Sequence, residues 1–324
     1  MWRNVKTSQQ LIDSVKAAGF NAIRIPCAWS GYIEDRATYK IKDSWLARVK
    51  EVVDYCVNND LYVILNIHWD GGWLENHPTY AMQESVNKKQ KALWTQIATY
   101  FRDYDEHLLF AGTNEVHAGY GNPTPENIAV QMSYNQIFVD AVRATGGRNS
   151  WRNLIVQAYN TNIDHAVQYL KLPVDSVSDR LMVEVHYYDP WDFCGDKNSD
   201  KYLWGKDFAD RPNVSTWGQE SFADAQFDKM KINFVDKGIP VILGEYAPTY
   251  RASLTGQALV DHKKSRNDYL YYITKSAKDR SIVPFYWDNG ATGNNGSGLF
   301  NRATGAQVYP DAIQALIEGA TPDN

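Results

Sequence analysis

The chain has 324 residues, 44% of them hydrophobic and 22% charged, with a formal net charge of -5 at pH 7. That length suits a single α/β domain, and mild acidity without a Lys/Arg block argues against nucleic acid and anionic membrane as partners. The cysteines Cys27, Cys56 and Cys194 fit neither a metal-ligand spacing nor a disulfide framework, and no apolar run is long enough to span a bilayer.

In chain order, Leu11, Ile12, Val15 and Ala18 form one apolar stripe, which predicts a helix over 7–18 with Gly19 as its stop. A strand is expected over 20–26, with Arg24 near its end. A helix over 44–58, capped by Asp43 or Ser44, turns Trp45, Leu46, Val49, Val52, Val53 and Cys56 inward. The continuous apolar run 61–67 reads as a strand followed by His68-Trp69-Asp70. Next come a helix over 83–100, a strand over 108–113 and a helix over 125–145 closed by Gly146-Gly147. The remaining strands are expected at 154–157, 181–188, 241–246 and 281–288. Helices fall at 164–170, 221–237, 265–279 and 309–317, and a long polar and aromatic loop fills 189–218.

Helix and strand alternate throughout, and the strands are mostly continuous apolar runs, as in a parallel sheet covered by helices. Without a repeat, a low-complexity run or a linker, 1–324 reads as one domain, a (β/α)8 TIM barrel. Seven strands are counted where a closed barrel wants eight, so the first is missing or survives as a vestige in 1–5. A missing strand leaves two edges unpaired, which invites another chain or a loop to cover them. An open doubly wound sheet is the competing fold. No leader precedes Trp2-Arg3-Asn4; if the natural protein is exported, its leader has been cut away.

Two of the strands end in a glutamate. Leu108-Leu109-Phe110-Ala111-Gly112-Thr113-Asn114-Glu115 and Ile239-Pro240-Val241-Ile242-Leu243-Gly244-Glu245-Tyr246 have the same build, an apolar run delivering a carboxylate at its C-terminal end. Side chains two apart share a face, so Leu109, Ala111, Thr113 and Glu115 are expected on one side, as are Asn66, His68 and Asp70, and Glu184, His186 and Tyr188. A carboxylate pair in a barrel mouth is what glycosidic-bond cleavage requires: one protonated acid, one ionised partner. A separation of about 5–5.5 Å gives retention and one of about 6.5–9.5 Å inversion. A cation such as Arg24 near Glu245 would keep that group ionised, and Glu115, facing the anion, would hold its proton to higher pH.

Asn114-Glu115, Gly244-Glu245-Tyr246, Phe20-Asn21-Ala22-Ile23-Arg24-Ile25-Pro26, Asn66-Ile67-His68, Val185-His186-Tyr187-Tyr188 and Phe285-Tyr286-Trp287-Asp288-Asn289-Gly290 occur in an order that resembles glycoside hydrolase family 5, in its endo-β-1,4-glucanase and xyloglucanase branch. The resemblance covers nearly the whole chain and implies a retaining endo-hydrolase of β-1,4-glucan; no cofactor and no metal are expected. It implies Glu115 as acid/base, Glu245 as nucleophile, and Asn114 on the sugar 2-hydroxyl. It further implies Arg24 and Tyr188 orienting the nucleophile, His68 and His186 in the site, and Trp287 as the −1 platform. Two departures bear on subsite preference: Val116-His117 follow the acid/base where the family usually has Pro, and Trp69-Asp70 follow His68.

Trp29, Trp69, Trp73, Trp191 and Trp204 lie in loops after strands, where an indole either caps a core or stacks on a pyranose face. Trp29, Trp69 and Trp191 are the candidates for sugar contact. His77, His117, Asp192 and Asp196 show no clear cation-ligand spacing. Rival readings are a β-mannanase or xylanase of the same family, a metal-dependent barrel hydrolase using His68 and His186, and a catalytically impaired polysaccharide binder. An extracellular or cell-surface location in the native host is expected.

Overall fold

The computed structural model describes residues 5–322. The vestigial first strand expected at 1–5 therefore lies outside the described residues, except for Val5, which is exposed and in no regular element. The chain gathers into two compact units, one of 21–185 with 238–240, the other of 5–20, 186–237 and 241–322.

Helix α1 (Gln9–Ala17) opens the second unit; Ser8 Oγ accepts from Leu11 N at its start, and Gly19, at φ +100°, ends it. The first unit begins with β1 (Ala22–Ile25), followed by the hairpin β2 (Ile33–Asp35) and β3 (Lys40–Ile41), which the sequence reading lacked. In α2 (Asp43–Val57) the cap position is Lys42, with no side-chain bond, which corrects the expected Asp43 or Ser44 cap. Asp43 instead sits in the first turn, where an acid complements the helix dipole. Then follow β4 (Tyr62–Asn66), α3 (Tyr80–Tyr100), β5 (Leu108–Ala111) and α4 (Pro125–Arg143). Thr124 and Asn127 close a reciprocal capping box at the head of α4. The strand β6 (Leu154–Gln157), the helix α5 (Ile163–Tyr169) and the strand β7 (Leu181–His186) follow.

Within the first unit β1, β4, β5, β6 and β7 pair in parallel in that order, with Arg24 opposite Ile64, Leu65 opposite Phe110, Ala111 opposite Ile155, and Gln157 opposite Glu184. Parallel strands covered on both faces bury every side chain, and β5 and β6 are buried from end to end. Trp94 of α3 packs on Phe110 and on Phe138 of α4, with ring centroids 5.3 and 4.6 Å apart. Val183 N bonds to Pro240 O.

The second unit holds α6 (Trp191–Cys194), α7 (Glu220–Asn233), β8 (Val241–Glu245), α8 (Gly256–Asp279), β9 (Ile282–Pro284) and α9 (Pro310–Ala320). There β8 pairs with β9 in parallel, Val241 opposite Ile282, and Tyr187 N bonds to Glu245 O. A side chain at Gly19 would meet Ile317 of α9, which fixes where α1 ends. The span 189–218, expected as a loop, carries α6 and a short apolar cluster of Leu203, Phe208 and Val214 with Tyr202 against it. Helix α8 starts nine residues before its expected position, because the positions it buries early are His262, Ser265 and Arg266, which leave no hydrophobic period to read.

Candidate active site

Arg24, on β1, is the most enclosed cation of the first unit's site. Its Nε lies 2.9 Å from Glu184 Oε1, both side chains being almost inaccessible, and its Nη2 donates to Asn114 Oδ1 at 2.7 Å. The guanidinium thereby holds the amide oxygen of Asn114, which leaves the NH2 of that amide as its remaining donor. Charges this deeply enclosed persist only when paired and hydrogen-bonded.

His68 follows β4. Asn66 Oδ1 accepts from Cys27 N, so its amide nitrogen is what faces His68 Nδ1 at 3.2 Å. The imidazole therefore carries its proton on Nε2.

Beyond β5 the chain leaves the strand path. Glu115 has φ +52°, a left-handed conformation that costs a non-glycine residue roughly 1–3 kcal/mol and persists only when surroundings over-determine it. They do so here. Gln157 Oε1 accepts from Glu115 N at 3.0 Å, and His117 Nδ1 lies 2.6 Å from Glu115 O. Gln157 is itself fixed, its carbonyl accepting from Gln131 Nε2 and Asn135 Nδ2, both at 2.9 Å. The regular strand ends at Ala111, so the alternation expected to run through Thr113 to Glu115 stops short; the turn, not the strand, aims the carboxylate.

In the second unit Glu245 is the last residue of β8 and is buried. Tyr188 Oη donates to its Oε2 at 2.8 Å, and His186 Nδ1 lies 3.8 Å from the same oxygen. A hydroxyl donated to a carboxylate favours the ionised form. Trp287 is tied in by its backbone N–H to Tyr246 O at 3.1 Å, beyond the end of β9. The first unit therefore assembles Arg24, His68, Asn114 and Glu115, and the second His186, Tyr188, Glu245 and Trp287.

The tryptophans divide. Trp69 and Trp191 are 45% and 54% exposed, free to present a ring face. Trp29 is fully buried, its Nε1 donating to Asn66 O and its backbone N–H to Asp70 Oδ2. That corrects its assignment to sugar contact: Trp29 is a strut beneath the loop. Trp204 is likewise internal, donating to Gly218 O. Gln157 and Glu184 were not singled out from the sequence as site residues. The signal was there in both: each is a polar side chain within or ending an apolar strand, at facing positions of β6 and β7.

The chain belongs to glycosyl hydrolase family 5: the Cellulase (glycosyl hydrolase family 5) profile matches residues 1–293. Its fold is the (β/α)8 barrel of that family, not an open doubly wound sheet. It is 47% identical over 323 residues to a xyloglucan-specific endo-β-1,4-glucanase of Bacteroides ovatus, covering 98% of this chain and 63% of that protein. To Endoglucanase A of Paenibacillus barcinonensis it is 38% identical over 335 residues, covering 98% and 82%. The solved structure of the Bacteroides ovatus family 5 xyloglucanase in complex with a XXXG heptasaccharide superposes with a TM-score of 0.93 at 47% identity, over 98% of this chain and 69% of that one. The ligand-bound family 5 xyloglucanase of Paenibacillus pabuli does so with a TM-score of 0.93 at 40% identity, over 99% and 92%. The chain thus spans just under two thirds of the length of the first of these relatives.

Proposed function

We propose that the chain is a retaining, endo-acting hydrolase of β-1,4-glucans, with xyloglucan among its substrates, Glu115 as acid/base and Glu245 as nucleophile. The observation that carries this is the Tyr188 hydroxyl on the buried Glu245 carboxylate, 2.8 Å away, in a member of a family of retaining hydrolases. A carboxylate so held is ionised and aimed, the state a nucleophile needs.

On this reading Glu115 donates its proton to the glycosidic oxygen as that bond breaks. Glu245 attacks the anomeric carbon and forms a glycosyl ester. Glu115, now a carboxylate, takes a proton from water, whose oxygen displaces Glu245 and regenerates both groups. The NH2 of Asn114, whose amide oxygen is held by Arg24, donates to the 2-hydroxyl of the bound sugar. The names of the relatives favour a branched glucan over mannan or xylan, and the exposed faces of Trp69 and Trp191 offer flat apolar platforms for pyranose rings. A substrate too large to cross a membrane argues for action outside the cell.

The test is hydrolysis of xyloglucan and mixed-linkage glucan by wild type, E115Q and E245Q, with the anomeric product followed by NMR. Wild type is expected to release a β-anomer first, and each variant to lose about 10³-fold or more in kcat. Activity retained in either variant refutes the roles. Binding without turnover by wild type supports the binder reading instead, and loss of turnover on chelation the metal-dependent one.

A further inference from the structure

Glu75 lies in the loop after β4 and is 1% exposed. Neither carboxyl oxygen has a hydrogen-bond partner among the described residues. Its neighbour Leu74 belongs to an apolar cluster with Val86, Val116, Val130 and Tyr134. A buried carboxylate in such surroundings is costly to keep charged.

The backbone of Glu75 does something definite: its carbonyl accepts from His117 N at 2.8 Å. His117 in turn reaches Glu115 O through Nδ1. The strained turn at Glu115 is thus held from one side by Gln157 and from the other by the Glu75 segment, with Val116 packed into the same cluster as Leu74.

We propose that Glu75 is a positioning residue for the acid/base carboxyl of Glu115, and that it acts as a neutral carboxylic acid packed behind the segment 115–117. This rests on the reading of Glu115 as acid/base. Uncharged, the side chain fills its pocket without placing a second anion beside Glu115. Ionised, it must be solvated, and the way to admit solvent is to open the loop that holds His117 and the turn.

The charges facing Glu75 support this. Asp70 stands on its own loop, Lys89 on α3 and Glu115 on the loop after β5. Lys89 is shared with Ser30 Oγ, 2.6 Å away, and with the ring of Trp73, 4.0 Å from its centroid. Tyr134 of α4 is engaged with His77 O. Burial first, and then the carboxylates of Asp70 and Glu115, push Glu75 up to about 8.

The experiment compares wild type, E75Q and E75A on a soluble β-1,4-glucan from pH 5 to pH 10, with melting temperature over the same range. E75Q is isosteric and has no proton to lose. It is expected to keep wild-type kcat/KM near pH 6 to within about threefold, while its alkaline limb moves to higher pH. E75A, which leaves a cavity, is expected to lose about tenfold at every pH. The stability readout needs no substrate. A carboxyl whose folded pKa is raised makes the unfolded chain release a proton that the folded chain keeps. Wild-type melting temperature should therefore fall relative to E75Q as pH climbs from about 4.5 to about 8. An active wild type whose pH profile coincides with that of E75Q overturns the positioning role alone. Melting curves that run parallel across the range overturn the neutral-acid assignment. A wild type inactive on every β-1,4-glucan overturns the functional reading, and the role with it.

Discussion

At Glu115 the protein spends backbone strain to aim one side chain. With φ at +52°, the residue is held by a hydrogen bond from its own N–H to Gln157 and by His117 at its carbonyl. Gln157→Leu keeps the size and removes the acceptor. The expected result is a fall in kcat of about tenfold or more with KM nearly unchanged, because displacement of the reacting carboxyl costs turnover and leaves sugar contacts in place. Steady-state kinetics decide it. Single residues were also where the sequence was most unevenly legible. Glu115, Glu245, Arg24 and Tyr188 stood out because a charged or phenolic group at the end of an apolar strand needs a reason. Gln157 did not stand out, since a glutamine closing a strand reads as its border. Trp29 was read outward because a loop position says nothing about which side of the chain the core lies on; Asn66 and Asp70 turn it inward.

Elements were easier to read where burial leaves a pattern. β4, β5, β6 and β8 are near-continuous apolar runs and were located almost to the residue. The β2–β3 hairpin was invisible, with strands of three and two residues, three of the five charged. The start of α8 was hidden by the polar residues it buries. At element scale the critical contact is Gly112. A Cβ there would lie 2.5 Å from the Phe138 ring, while Gln90 Nε2 and Trp94 Nε1 both donate to the Gly112 carbonyl. Helices α3 and α4 thus clamp the strand end two residues before Asn114. Gly112→Ala is expected to cost about 1–3 kcal/mol by overpacking and to lower activity with it. Adding Phe138→Leu should return part of both, a favourable coupling that a double-mutant cycle by urea denaturation would detect; strict additivity would refute the clamp.

Stability as a whole carries an acid weakness. His262 is wholly inaccessible, its Nε2 accepting from Arg251 N at 2.9 Å, so the proton sits on Nδ1, facing Tyr202 O. Burial first, against the opposing pull of the Tyr202 carbonyl, and then Arg266 and Arg251, lower its pKa to about 4. The unfolded chain takes up a proton near pH 6.5 and the folded one only near 4, so stability is full above 6.5 and declines as pH falls to about 4. The loss over that window is at most about 3–4 kcal/mol, at about 1.4 kcal/mol per pH unit. His262→Gln should flatten this dependence, as read from denaturation midpoints at pH 7, 5.5 and 4.5; an unchanged slope would place the acid sensitivity elsewhere.

The span 189–218 has consequences for how such enzymes diversify. It carries a miniature core of its own in Leu203, Phe208 and Val214, and is pinned by Arg251, which donates to the carbonyls of Asp192 and Asp196. A segment built this way keeps its shape only while those contacts are kept together. Exchanging its tip for a relative's sequence leaves the scaffold intact only if the apolar trio and the arginine travel along, so new substrate tastes in this region would arise by recombination of whole modules more readily than by point substitution.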